Sequence, residues 1–164
     1  MKFARSAVQS HYQSPLGTML VAASEKNLVG IWFVGQRHQP DTSDWASDDR
    51  HPLLRRVKAE LDEYFAGRRH AFDLPLDMEC GTAFQQSVWR ALLAIPYGSS
   101  TSYGVLSSAI GQPSAVRALG AAVGRNPFSI VVPCHRVIGA NGALTGYAGG
   151  LNRKSALLQL EETP

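Results

Sequence analysis

The chain has 164 residues, 45% hydrophobic and 18% charged, with a formal net charge of +3; that length suits one sizeable domain or two small ones, in an ordinary soluble composition. No apolar run approaches membrane-spanning length, the N-terminus lacks the apolar core of a secretory signal, and two cysteines, Cys80 and Cys134, cannot build a disulfide framework. A reduced, intracellular protein, cytoplasmic in location, is therefore expected.

Residues 7–34 read as strands. Ser14-Pro15-Leu16-Gly17-Thr18 has turn chemistry before Met19-Leu20-Val21-Ala22-Ala23, and a second turn at Glu25-Lys26-Asn27 precedes the run Leu28 to Val34. An antiparallel hairpin or meander is predicted. Residues 36–50, with Pro40 and four Asp, have no periodicity and read as a polar, mobile loop. Pro52 to Ala66 sets Leu54, Val57, Leu61, Tyr64 and Phe65 on one helical face, Gly67 ends it, and Phe72-Asp73-Leu74-Pro75-Leu76 suggests one more strand. No chemistry is evident in this half, which reads as an α/β scaffold domain over residues 1–80, with Cys80 in a packing or linker role.

The second half, 81–164, differs in charge. Residues 1–80 carry ten Lys/Arg against eleven Asp/Glu, whereas 81–164 carry six against two. All of the excess positive charge lies there, as a polyanion partner would require, though a mildly basic surface without a partner fits equally well. Thr82 and Gln85 stand at capping-box spacing ahead of an apolar stripe of Phe84, Val88, Trp89, Leu92 and Leu93. Ile95-Pro96-Tyr97-Gly98 stops that helix. A short helix from about Ser102 to Ile110, the turn Gly111-Gln112-Pro113, and a helix opening on Pro113 and running to about Val123 form a helix-turn-helix pattern. From Ser114 to Ala122 the second of these helices is nearly all small residues with one long charged side chain, Arg117. Such a surface fits close approach either to another helix of the chain or to a nucleic-acid groove. The predicted fold class is α/β (α+β): a mixed domain with antiparallel strands, then a mainly helical domain with the helix-turn-helix at about 102–123.

The stretch 130–139, Ile130-Val131-Val132-Pro133-Cys134-His135-Arg136-Val137-Ile138-Gly139, reads as buried extended chain on both sides of a bend at Pro133. A thiol nucleophile needs such a rigid, part-buried placement; a small buried cysteine beside a surface His-Arg pair is the plainer reading. Pro133-Cys134-His135-Arg136-Val137 resembles the active-site signature of the O6-alkylguanine-DNA alkyltransferases, suicide proteins that repair alkylated DNA. The resemblance runs from about Gly81 to Glu162 and more loosely through the N-terminal half.

The resemblance implies double-stranded DNA carrying O6-alkylguanine as partner, no cofactor, and a monomer able to cluster on DNA. It implies minor-groove entry by the helix-turn-helix, with Ser114, Arg117, Ala118, Gly120 and Arg125 at the DNA and Arg117 filling the gap left by a flipped nucleotide. Tyr103 would crowd the phosphate during flipping and donate a hydrogen bond to guanine N3; taken alone it would be read as core packing. Asn126, in Gly124-Arg125-Asn126-Pro127, would brace the active-site turn. Val137, Tyr147, Ala148 and Gly149 would line the alkyl pocket, with backbone N–H groups facing guanine O6. Cys134 would be the nucleophile, His135 its base and Glu161, on a terminal helix from about Asn152 to Glu162, the group orienting the imidazole; Arg136 is expected to be structural or DNA-contacting. Since neighbours in extended chain point to opposite faces, a water relay between thiol and imidazole is expected. A zinc site of two Cys and two His, present in some relatives, is not expected, because only Cys80 is available in this half. Ala148 replaces a serine and Ser129 a proline found in some relatives, which bears on alkyl-group preference. Three other readings compete: a thiol hydrolase using Cys134 and His135, a lesion binder without repair, and a plain helix-turn-helix regulator.

Overall fold

The computed structural model describes residues 1–163. Three strands, β1 (Val8–Ser14), β2 (Gly17–Ala23) and β3 (Leu28–Phe33), form the predicted antiparallel meander, and the sheet order is β3-β2-β1-β4, with β4 (Ala46–Ser47) parallel to β1. The β1–β2 turn closes through Gly17 at φ 118°, a conformation that favours glycine. Every residue of β2 from Met19 and every residue of β3 is buried, because both faces of the sheet are covered. On one face Met19, Val21, Ile31 and Phe33 meet helix α1 (Pro52–Phe65) through Leu54, Val57, Leu61 and Tyr64. On the other, Leu20, Ala22, Val29 and Trp32 pack with Ala7, Phe3 and Trp45.

Trp45 corrects the expectation of a mobile loop. Its ring lies 6.0 Å from Phe3 and 6.4 Å from Trp32, and the Gln9 amide donates to the carbonyls of Thr42 and Trp45 at 3.0 and 2.9 Å. A long loop of low apolar content is thus tied down by one aromatic side chain and one amide. The strand expected at 72–76 is also absent. It shrinks to a single bridge, Leu76 beside Leu28, since Pro75 has no N–H with which to extend a ladder.

The C-terminal part is helical. Helix α2 (Ala83–Leu93) opens on the predicted capping box: the Gln85 N–H donates to Thr82 Oγ1 at 3.2 Å and the Thr82 N–H to Gln85 Oε1 at 3.0 Å. A short strand β5 (Thr101–Ser102) leads into α3 (Tyr103–Ala109), a turn and α4 (Val116–Gly124), the expected helix-turn-helix. Pro113 does not begin α4. It sits inside a turn closed by the Ala115 N–H on the Gln112 carbonyl at 3.0 Å, a position its fixed φ suits as well as a first helical turn. Leu119, Ala122 and Val123 of α4 face inward, and Trp89 Nε1 donates to the Ala122 carbonyl at 2.9 Å.

The free edge of β3 receives the second half of the chain. The Ile31 N–H donates to the Pro127 carbonyl at 2.8 Å and the Ser129 N–H to the Ile31 carbonyl at 3.0 Å. One edge of the N-terminal sheet thereby fixes the backbone five residues upstream of Cys134. Strand β6 (Val137–Ile138), parallel to β5, and helix α5 (Leu151–Glu162) follow.

Candidate active site

Ile130 to Val132 is buried as predicted, but it is not extended. Ile130 takes φ 73°, costly for a β-branched residue by about 1–3 kcal/mol. The Val131 N–H reaches back to the Ser129 carbonyl at 2.9 Å, the Val132 N–H to the Phe128 carbonyl at 2.9 Å and the Cys134 N–H to the Val132 carbonyl at 2.8 Å. Asn126 holds this series of tight turns together: its Nδ2 donates to the Val132 carbonyl at 2.8 Å, and its Oδ1 accepts from the Phe128 N–H at 2.9 Å. Cys134 to Arg136 then form one turn of 3₁₀-helix. An apolar run cannot report such a path, because its cause is a polar side chain outside the run.

Cys134 is 6% exposed, at the wall of a cavity of about 380 Å³ that is also lined by Tyr103, Gly120, Arg125, Tyr147 and Ala148. Burial pushes its thiol above the ordinary range, opposed by the nearby Asn126 amide and Lys154 ammonium. Behind it, His135 is fully buried and its Nε2 lies 2.7 Å from Glu161 Oε1. The carboxylate can only accept there, so Nε2 carries the proton and Nδ1 holds the lone pair. Nδ1 has no protein partner among the described residues. Burial holds the imidazole below its usual pKa against the pull of Glu161, whose charge is shared with Arg136. His135 is therefore a neutral imidazole whose accepting nitrogen has no partner among the described residues.

Glu161 is not a solvated helix end. Arg136 Nε donates to its Oε2 at 2.8 Å and a terminal nitrogen of Arg136 to Oε1 at 2.9 Å, while the Tyr64 hydroxyl donates to Oε1 at 2.7 Å. Burial would raise the Glu161 carboxyl, but hydrogen bonds from His135, Arg136 and Tyr64 outweigh it and hold the pKa at about 2. Arg136, which also donates to the Ile95 carbonyl at 2.7 Å, is a buried cation whose guanidinium is taken up by protein acceptors. Glu162 is exposed.

Lys154 is a site residue that the sequence reading missed. It is fully buried, and its ammonium donates to the carbonyls of Val137 at 2.5 Å, Thr145 at 3.0 Å and Gly146 at 3.3 Å. The Tyr103 hydroxyl donates to the same Thr145 carbonyl at 3.1 Å. A signal did exist: Lys154, Leu157 and Glu161 fall at i, i+3 and i+7, one face of α5, and Leu157 marks that face as core. Tyr64 was read only as an apolar helical position. Val137 and Gly149 stand behind the cavity wall, Val137 buried within β6 and Gly149 letting the loop pass beneath Tyr147, where a Cβ would come within 2.8 Å of that ring. Ser114, Arg117 and Ala118 are exposed on the outer side of the helix-turn-helix, adjoining the cavity through Gly120 and Ala121.

Two family profiles match the chain: the ribonuclease-like domain of 6-O-methylguanine DNA methyltransferase over residues 8–78 and its DNA-binding domain over residues 83–163. The chain is 47% identical over 156 residues to the methylated-DNA–protein-cysteine methyltransferase of Mycobacterium tuberculosis, covering 93% of each protein. This chain belongs to the 6-O-methylguanine DNA methyltransferase family. The Haemophilus influenzae methylated-DNA–protein-cysteine methyltransferase is 42% identical, over 94% of this chain and 86% of its own. Among solved structures, O6-methylguanine methyltransferase of M. tuberculosis superposes with a TM-score of 0.88 at 45% identity, covering 96% of this chain and 93% of that one. The M. tuberculosis protein in complex with DNA gives 0.87 at 44% identity with the same coverage. As in other alkyltransferases of this family, an N-terminal antiparallel sheet is joined to a helical C-terminal part.

Proposed function

We propose that Cys134 is the group that accepts the alkyl carbon, once per molecule, in the DNA-repair methyl transfer to a protein cysteine that membership of this family brings. The observation that carries the reading is a buried cysteine at a cavity wall, backed by a neutral histidine whose lone-pair nitrogen is selected by Glu161. Direct repair needs the target carbon, shielded inside the duplex, brought to this thiol, so the nucleotide must be extruded at a cost of a few kcal/mol.

In this mechanism the helix-turn-helix enters the minor groove with Ser114, Ala118, Gly120 and Arg125 near the backbone, and Arg117 takes the space vacated by the guanine. Tyr103 exchanges its bond to the Thr145 carbonyl for guanine N3. The thiol proton passes to His135 Nδ1, through a bridging water, and the sulfur attacks the O6-alkyl carbon in line. The S–C bond forms as the C–O6 bond breaks, and the electron pair stays with guanine, stabilised at N3 by Tyr103 and at O6 by backbone N–H groups of the Tyr147–Gly149 loop. The product thioether resists water and thiols, so the protein is consumed. O4-alkylthymine is the further substrate the same chemistry allows.

The reading is completed by a division into a scaffold domain, 1–80, and a DNA-binding and alkyl-transfer domain, 81–164. It also includes a monomer that clusters on DNA, and a cytoplasmic, nucleoid-associated location; among the described residues no helix is long and apolar enough to cross a membrane. The test is a titration of a duplex bearing one O6-methylguanine, scored by restored guanine. Repair rising linearly and stopping at one lesion per protein supports the reading, whereas catalytic turnover contradicts it.

A further inference from the structure

The cavity has a wall contributed by the N-terminal half. Arg37 and His38, at the tight turn after β3, line it together with Gly124 and Arg125. Both arginines are exposed while Cys134 is buried, so the cavity wall runs from solvent to the thiol. The turn that carries Arg37 is rigidly seated. Gln36 is buried, and its side-chain oxygen accepts from the Phe33 N–H at 2.8 Å and from Ser129 Oγ at 3.2 Å. The Arg37 N–H donates to the Ala148 carbonyl, in the pocket loop, at 3.1 Å, and His38 adopts a positive φ of 62°.

The charges here are unbalanced. Arg125 and Arg37 both lie within electrostatic reach of His38, and among the described residues no carboxylate lines the cavity. Neither arginine has an ion pair or a side-chain hydrogen bond among the described residues, which leaves both guanidinium groups open to a ligand. Like charges gathered from two halves of a fold, without a counterion, repel unless an anion completes them. Two guanidinium groups offer planar donor forks suited to a phosphate.

We propose that Arg37 and Arg125 form a two-armed clamp for a phosphodiester flanking the extruded nucleotide, so that the N-terminal half helps select lesions carried in DNA. The inference rests on the proposed alkyl transfer to Cys134. An alkylated guanine entering this cavity brings its own flanking phosphates to the outer end, where the two cations stand. Arg37 thus acts on substrates with a phosphate backbone and is indifferent to small neutral reagents for the same thiol.

The test compares the full-length protein with R37A, R37K and R37E in two reactions: methyl transfer from an O6-methylguanine duplex over a range of salt, and alkylation of Cys134 by iodoacetamide. The clamp predicts an approximately tenfold slower duplex reaction for R37A, a larger loss for R37E and partial recovery for R37K. The salt dependence of DNA binding should also fall by about one phosphate contact, a change of roughly 0.9 in log–log slope. Iodoacetamide rates should stay within about twofold. An unchanged duplex rate and salt slope in R37A would overturn the clamp, as would equal slowing with both reagents, which marks a purely structural wall. No transfer from the duplex by the wild-type protein would overturn the underlying reading together with the clamp, and wild-type transfer with an unaffected R37A would overturn the clamp alone.

Discussion

Glu161 collects three partners from two distant parts of the chain: Tyr64 of α1, and His135 and Arg136 of the active-site turn, meet it on the last turn of α5. Replacing Glu161 by Gln leaves the Arg136 guanidinium buried without its counter-charge. Breaking a buried pair in this way costs about 3–5 kcal/mol, or roughly 6–20 °C of Tm for a chain of this size; a drop below about 2 °C in a melting experiment would contradict the described geometry. The same residue sets an acid limit. Its folded pKa is about 2 against an ordinary 4.5, so the stability it supplies is fully present above pH 4.5 and is lost as pH falls towards 2. His135 acts in the same direction. Burial lowers its pKa from 6.5, so below that pH the unfolded chain binds a proton that the folded chain resists. Tm should therefore decline from about pH 6.5 and more steeply below about 4.5, with the lower phase missing in E161Q. A flat profile between pH 7 and 4 would refute the buried neutral imidazole.

At the scale of elements, the active-site turn and the pocket loop are each braced by a buried polar side chain, with the Tyr103 hydroxyl adding to the loop and Gln36 to the turn. Asn126 holds the first and Lys154 the second. Lys154→Met removes three hydrogen bonds to loop and strand carbonyls, together with a positive charge near Cys134. The variant should slow alkyl transfer tenfold or more and move the pH–rate profile of Cys134 alkylation upward; a slower reaction with an unshifted profile would show that the ammonium only shapes the loop. These two residues also mark what the sequence discloses. Hairpin, amphipathic helices, capping box and helix-turn-helix were legible because periodicity and end-signals are local. That Cys134, His135 and Glu161 belong to one site was legible because the resemblance named all three. The path of residues 130–133 was not, since β-branched apolar residues report burial while Asn126 dictates conformation. Pro113 was misplaced because its fixed φ suits a turn and a helix start equally. Lys154 hid in a polar triplet, Asn152-Arg153-Lys154, and only its phase with Leu157 separates it from its neighbours.

Across the whole molecule, the two halves are joined around the candidate site. The β3 edge pairs with Pro127 and Ser129, Gln36 binds Ser129, Tyr64 reaches Glu161, and Arg153 of α5 donates to the Leu16 carbonyl with its guanidinium 4.5 Å over the Phe33 ring. The N-terminal half is thus a brace for the candidate site. Tyr64→Phe should lower stability by about 1.5–3 kcal/mol through loss of a hydrogen bond to a charged acceptor, and chemical denaturation should show a single transition shared by fluorescence and circular dichroism. Two separated transitions would show that the halves fold independently.

The central claim, that Cys134 itself carries away the alkyl group, is tested most directly by intact-protein mass spectrometry after mixing with a duplex holding one O6-methylguanine, with peptide mapping and a Cys134→Ala control. The account predicts a gain of a single methyl group, located on Cys134 in the wild type and absent from the variant. Repair of the duplex without a mass gain, or a methyl group on any other residue, would contradict it.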